Sequence, residues 1–193
     1  EMTASCLVKV DIDGNILSES EFGINPAGYT IHSAVHMGRK DAGCVMHTHT
    51  AAGLGVATQK SGLLPLTQMA LAVIAQTGYH DYEGPAFDLR ERDRLINDLA
   101  SNNVLILRNH GLLTVGKTVA EAFVWLFRAE RACRFQLSFQ QAGAPAQEIP
   151  KEVQDISIER SKKAISASGH RPIGQFEWPA LLRKLNRENP GYA

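Results

Sequence analysis

The chain has three cysteines, Cys6, Cys44 and Cys133, and no two stand close enough to form a C-x-x-C pair. An odd number of scattered thiols excludes a disulfide framework and a cysteine zinc site, and it fits a reducing cytoplasm. Apolar neighbours around each thiol imply three small buried hydrophobes. Charge of a dominant sign is missing too, since Lys+Arg and Asp+Glu stand at 20 each. Such balance gives no electrostatic grip on nucleic acid or on an anionic membrane surface. No apolar run approaches the roughly 20 residues of a membrane-spanning helix, and no signal-peptide pattern opens the chain. Internal repeats, low-complexity tracts and inter-domain linkers are absent as well. The 193 residues are therefore read as one domain, 1–193. Because Glu1 leads almost at once into strand-like sequence, the expectation is that an N-terminal segment precedes it.

What is present alternates between strand and helix patterns. "CLVKVDIDGNILSES" sets β-branched residues around Asp13-Gly14-Asn15, a hairpin signature. Asn25-Pro26 then supplies a cap and a first-turn proline for a helix through "AGYTIHSAVHMGRK". "AGCVM" reads as a short buried strand and "HTAAGLGVATQK" as the helix leaving it, whereas residues 66–75 fit helix or strand equally. "YHDYEGPAF" is expected to be a loop, with Asp88 and Glu91 at capping-box spacing after it. "VLILRNHG" is the most hydrophobic strand and breaks off at Arg108-Asn109-His110-Gly111; "LLTV" continues as another. Thr118-x-x-Glu121 opens a long helix with one apolar stripe, and two further helices follow it on the outside. Interleaved strands and helices indicate α/β, a three-layer arrangement around a central sheet.

The seven histidines are unevenly informative. His47 and His49, in "VMHTHT", are one residue apart, and positions i and i+2 of a strand share a face about 6.5–7 Å apart. Two such imidazoles can converge on one ion at Zn–N distances of about 2.0–2.1 Å. A third ligand should stand at another strand end, and His110 does, with Gly111 behind it to leave room for a close turn. Three neutral imidazoles without cysteine suit Zn²⁺ but also accept Mn²⁺, Fe²⁺, Co²⁺ or Ni²⁺. His32 and His36 lie i,i+4 on the first helix, yet no glutamate lies between them, so packing or hydrogen bonding to the site is their expected role. His80, in "GYHDYEG", is a weaker candidate for lining the site, and His170 reads as solvated. The basic cluster Arg160, Lys162 and Lys163 reads as a solvated helix face.

Taken together, "NPAGYTIHSAVH", "VMHTHT", "GYHDYEG" and "LRNHGLLTVGKTVAEAF" resemble the class II aldolase/adducin family in order and approximate spacing, and adducin-like bacterial members most of all. The resemblance implies an α/β/α sandwich with a mostly antiparallel sheet, and a homotetramer with active sites between subunits. It implies that His47, His49 and His110 bind zinc, which in the aldolases stabilises the enediolate left when a carbon–carbon bond breaks. The implied substrate is a small hydroxy-carbonyl, sugar-like compound, and the implied activity that of a lyase or a related epimerase or dehydratase.

Two departures qualify this. Where the aldolases carry a catalytic glutamate, nineteen positions before the first zinc histidine, this chain has Gly28. Glycine can neither move a proton nor offer an oxygen, so Asp81 and Glu83 become substitute acid/base candidates. Tyr192 is a third, because in the aldolases a tyrosine near the C-terminus reaches the neighbouring subunit's site as a proton donor. The family's phosphate-binding loop lies upstream of the first strand found here, and "GLGVATQK" lacks the phosphate-loop spacing that would replace it. The alternative function is a non-catalytic, adducin-like binding or assembly protein that keeps the fold and the metal site.

Overall fold

The computed structural model describes residues 4–192. Two 3₁₀ turns, Ala4–Cys6 and Pro190–Tyr192, flank the helices and strands between them. These run α1 (Pro26–Gly38), β1 (Cys44–Thr48), α2 (Ala51–Ala57), α3 (Gln68–Ile74), β2 (Thr77–His80), α4 (Glu91–Leu99), β3 (Val104–Leu107), β4 (Gly111–Gly116), α5 (Val119–Ala142), α6 (Lys151–Ile165) and α7 (Glu177–Glu188). The sheet order is β1-β4-β3-β2. β4 pairs antiparallel with both neighbours, and β2 joins β3 in parallel. The expected mostly antiparallel sheet is therefore present, as a small mixed one.

Residue alternation along the central strands divides the core. Val104 and Ile106 of β3 and Leu112 of β4 face one side, packing on Val56, Val73, Trp125 and Ala129 of α2, α3 and α5. Leu105, Leu107, Leu113 and Val115 face the other side, against Ile31 and Val35 of α1 and Leu95 and Leu99 of α4. A strand covered on both faces must be apolar at every position, which is why "VLIL" reads as a continuous hydrophobic run. The three layers are thus α1/α4, the sheet, and α2/α3/α5. Outside them α6 packs on α3 and α7 on α5, and neither has a fully buried residue.

Local chemistry explains most boundaries. Asn25 Oδ1 accepts from the amides of Ala27 and Gly28 and starts α1, as expected. Thr118 Oγ1 accepts from Glu121 N–H at 3.2 Å, as expected of the cap, while the Glu121 carboxylate reaches one residue past the box geometry and accepts from Lys117 N–H at 2.8 Å. The ambiguous 66–75 stretch is helical, with Thr67 Oγ1 accepting from Ala70 N–H. Elsewhere the sequence reading needs correction. The hairpin around Gly14 shrinks to one bridge, Val10 with Ile16, because the Asp11 carboxylate takes over the turn by accepting from Asp13 and Asn15 amides. Tyr79 and His80 close β2 rather than opening a loop. Only Cys133 is fully buried, whereas Cys6 and Cys44 are half-exposed, because Cys44 begins an edge strand. Among the described residues no helix is long and apolar enough to cross a membrane.

Leu105 is fully buried between β3 and the α1/α4 layer, whereas Phe176 is 58% exposed. Leu105→Ala should cost about 2–5 kcal/mol in urea unfolding, and Phe176→Ala no more than about 0.5 kcal/mol.

Candidate metal centre

The register fixes where the first histidine points. His47 lies opposite Leu113, and directly opposed residues of an antiparallel pair share a face. Leu113 faces α1 and α4, so His47 projects beneath α1. His49 is outside the strand, since β1 ends at Thr48 and α2 begins at Ala51. Strand pleat alone therefore does not pair the two rings. The turn from β1 into α2 brings His49 back beside His47, with Nε2 atoms 2.7 Å apart.

His110 comes from the three-residue connection between β3 and β4. Its amide donates to Leu107 O at 3.0 Å, and Asn109 takes φ +58°, a conformation asparagine tolerates better than most residues. Asn109 N–H is anchored on Ala57 O at 3.1 Å, which ties the turn to the end of α2. The next residue must be glycine. A Cβ on Gly111, at φ +155°, would stand 2.3 Å from Thr48 O. With hydrogen there instead, the rings of His47, His49 and His110 gather at centroid separations of 4.6, 4.8 and 4.8 Å. One nitrogen from each lies within 4.8 Å of the other two.

Hydrogen bonding selects the tautomer. His47 Nδ1 is 3.0 Å from Leu112 O, and a carbonyl can only accept, so Nδ1 carries the proton. Nε2 is then a lone pair aimed at His49 Nε2, a contact that needs a proton or a cation between the nitrogens. A backbone carbonyl on the far nitrogen is the usual way a protein orients a ligating imidazole. The donor set fits a divalent transition ion: three nitrogens, an open remaining position and no thiolate. Burial, then His110, pushes the His47 imidazole down to about 4 despite the Leu112 bond, with smaller effects from His49 and His32. Burial and His49 lower His110 as well. Both are therefore neutral, as ligands must be, at neutral pH.

Comparison with known proteins identifies the family of the chain. Residues 1–137 match the model of the class II aldolase and adducin N-terminal domain. The chain belongs to that family. A Pseudomonas aeruginosa protein whose name places it provisionally in aldolase class 2 is 50% identical over 198 residues, covering 100% of this chain and 74% of the relative. Rat alpha-adducin is 40% identical over 202 residues, again 100% of this chain but 27% of the adducin. The crystal structure of an aldolase II superfamily protein from Pseudomonas syringae superposes with TM-score 0.90 at 47% identity, covering 100% of this chain and 76% of that one.

For a class II aldolase family member, the remaining sequence candidates are unevenly placed. Gly28 stands in the first turn of α1, and a Cβ there would meet nothing nearer than Asn25 Cβ at 3.8 Å. Asp81 is 90% exposed and pairs with Arg108 at 3.2 Å. Glu83 is held by Arg94, whose guanidinium keeps its carboxyl below the usual range. Both line a polar hollow with His80 and Asp98, separate from the cavity beside Gly28. The side chain of Tyr192 lies outside the described residues. His32 is half-buried, with burial and His36 lowering its proton affinity, whereas His36 and His170 are exposed.

The sequence reading missed the setting of His80. Its ring is 4% exposed and bonded on both sides, Nδ1 to Asp98 at 2.7 Å and Nε2 to Glu91 at 3.2 Å. Glu91 therefore faces inward rather than completing a capping box, and Arg90, not Asp88, is the residue before α4. A Glu91-to-Asp98 spacing of two helical turns, with a histidine upstream, is the signal that could have suggested it.

The lowered imidazoles set a pH dependence for the metal-free protein. The unfolded chain protonates His47 near 6.5 and the folded chain only at about 4, so the unfolded state binds more protons between these values. Stability should be full above pH 6.5 and fall as pH drops towards 4, with His110 and His32 acting in the same sense. Thermal melts across that window check this, and His47→Gln should flatten the slope.

Proposed function

We propose that this chain is a zinc-dependent lyase of the class II aldolase type, acting on a small hydroxy-carbonyl, sugar-like compound by retro-aldol cleavage or a related isomerisation. The carrying observation is the group of His47, His49 and His110, with one nitrogen of each within 4.8 Å of the others and His47 held in the ligating tautomer by Leu112 O. When bound there, zinc or another divalent transition ion would supply Lewis-acid stabilisation of the negative charge of an enediolate.

The chain's own residues shape the rest. A cavity of about 690 Å³ lies between α1 and the N-terminal arm, faced by Asn25, Gly28, Tyr29, His32 and His36. Tyr29 OH donates to Ile12 O at 2.6 Å and fixes the arm as its outer wall. His32 lines this cavity and is near enough to His47 for its charge to be felt there. A neutral imidazole can accept a proton. His32 lines the cavity beside Gly28 whereas Asp81 and Glu83 line a separate hollow, so His32 is better placed than those two to stand in for the carboxylate missing at Gly28. The family resemblance supports a homotetramer with sites between subunits, working in the cytoplasm.

A second reading keeps the fold and the ion without turnover, as an adducin-like binding or assembly module. Gly28 favours it, and so does the 40% identity to alpha-adducin.

Metal analysis of zinc-supplemented protein should find close to one ion per chain, lost in His47→Ala; no metal in the wild type removes the lyase reading. A screen of hydroxy-carbonyl donors, with and without phosphate, then separates the two functions, because metal without turnover leaves the binding reading. The Gly28→Glu variant sharpens the choice. A Cβ at this position is unobstructed and borders the cavity, and cleavage should rise about 100-fold if a carboxylate belongs there.

A further inference from the structure

The turn that carries His49 is held from a distant helix. Thr50, the residue after His49, stands at the cap position of α2 yet makes no side-chain cap bond. Its hydroxyl instead donates to Glu130 Oε2 on α5 at 2.5 Å. The same oxygen accepts from Gly53 N–H at 3.2 Å, the bond a cap threonine would ordinarily take for itself. Glu130 Oε1 is held by Arg134 Nε at 3.0 Å, and the carboxylate side chain is only 15% exposed. Gly53 is pressed against β4 as well, since a Cβ there would lie 2.8 Å from Leu112 Cδ1 and from Thr50 Oγ1. Leu112 in turn holds His47 through its carbonyl. One carboxylate therefore meets the backbone next to one ligand and the helix turn packed on the support of another.

We propose that Glu130 is a positioning residue of the metal centre, orienting His49 through Thr50. This rests on the metal-centre reading above. The local sequence does not need Glu130 for stability alone: without it, the Thr50 hydroxyl can rotate to cap Gly53 N–H, as threonine does at most helix starts. That rotation would re-aim the Thr50 side chain and loosen the His49–Thr50 backbone. A purely structural role predicts lost stability with unchanged ligand geometry. The positioning role predicts the reverse.

Cobalt(II) titration followed by visible absorption tests this, with the dissociation constant and the d–d band read together and thermal melts run alongside. Glu130→Ala and Thr50→Val should each weaken cobalt binding about 10-fold and alter the band, with Glu130→Ala melting close to wild type. Glu130→Gln and Thr50→Ser keep an acceptor and a donor respectively, and should retain most of the affinity and the wild-type band. Thr118→Ala, which removes the remote α5 cap, should lower the melting temperature and leave cobalt binding unchanged. An unchanged constant and band in both Glu130→Ala and Thr50→Val would overturn the positioning role while leaving the metal centre standing. Failure of the wild type to bind cobalt would overturn both.

Discussion

Everything at this site depends on how closely the first residue of β4 approaches the last residue of β1. Gly111 lies against Thr48 O at a distance that excludes any side chain. That contact puts the His110 turn beside the His47–His49 turn, and it starts the β1–β4 ladder in which Leu112 O reaches His47 Nδ1. Three rings on two separate chain segments converge because one residue between them has no Cβ. The apolar alternation of β3 and β4 keeps the two segments in place, with a core on each face of the sheet.

The triad was legible in the sequence because its cues are local: a histidine pair after an apolar run, a third histidine after another, and a glycine behind it. The layer class was legible for the same reason, since strand and helix periods differ. The physical cause of convergence was only partly legible. A pleated strand explains two histidines on one face, yet His49 sits in a turn whose direction depends on α5 eighty residues away. Glu91 looked like a cap residue because capping is a local pattern, while its actual partner, His80, lies on a different element. The Val10–Ile16 hairpin was overestimated because turn propensity says nothing about whether a third strand is present to support it.

Gly28 stands where the resemblance to the aldolases implies a carboxylate. A Cβ there would meet nothing nearer than 3.8 Å, and the cavity next to it is faced by His32 and by Asp11, whose carboxylate is taken up by the amides of Asp13 and Asn15.

The central claim is that His47, His49 and His110 hold one metal ion together. A crystal grown from zinc-supplemented protein, with anomalous differences collected on both sides of the zinc edge, tests it most directly. The account predicts a single strong peak per chain, about 2.0–2.1 Å from one nitrogen of each of the three rings. The absence of a peak there, or a peak bound by other residues while the three rings stay hydrogen-bonded to one another, would contradict it.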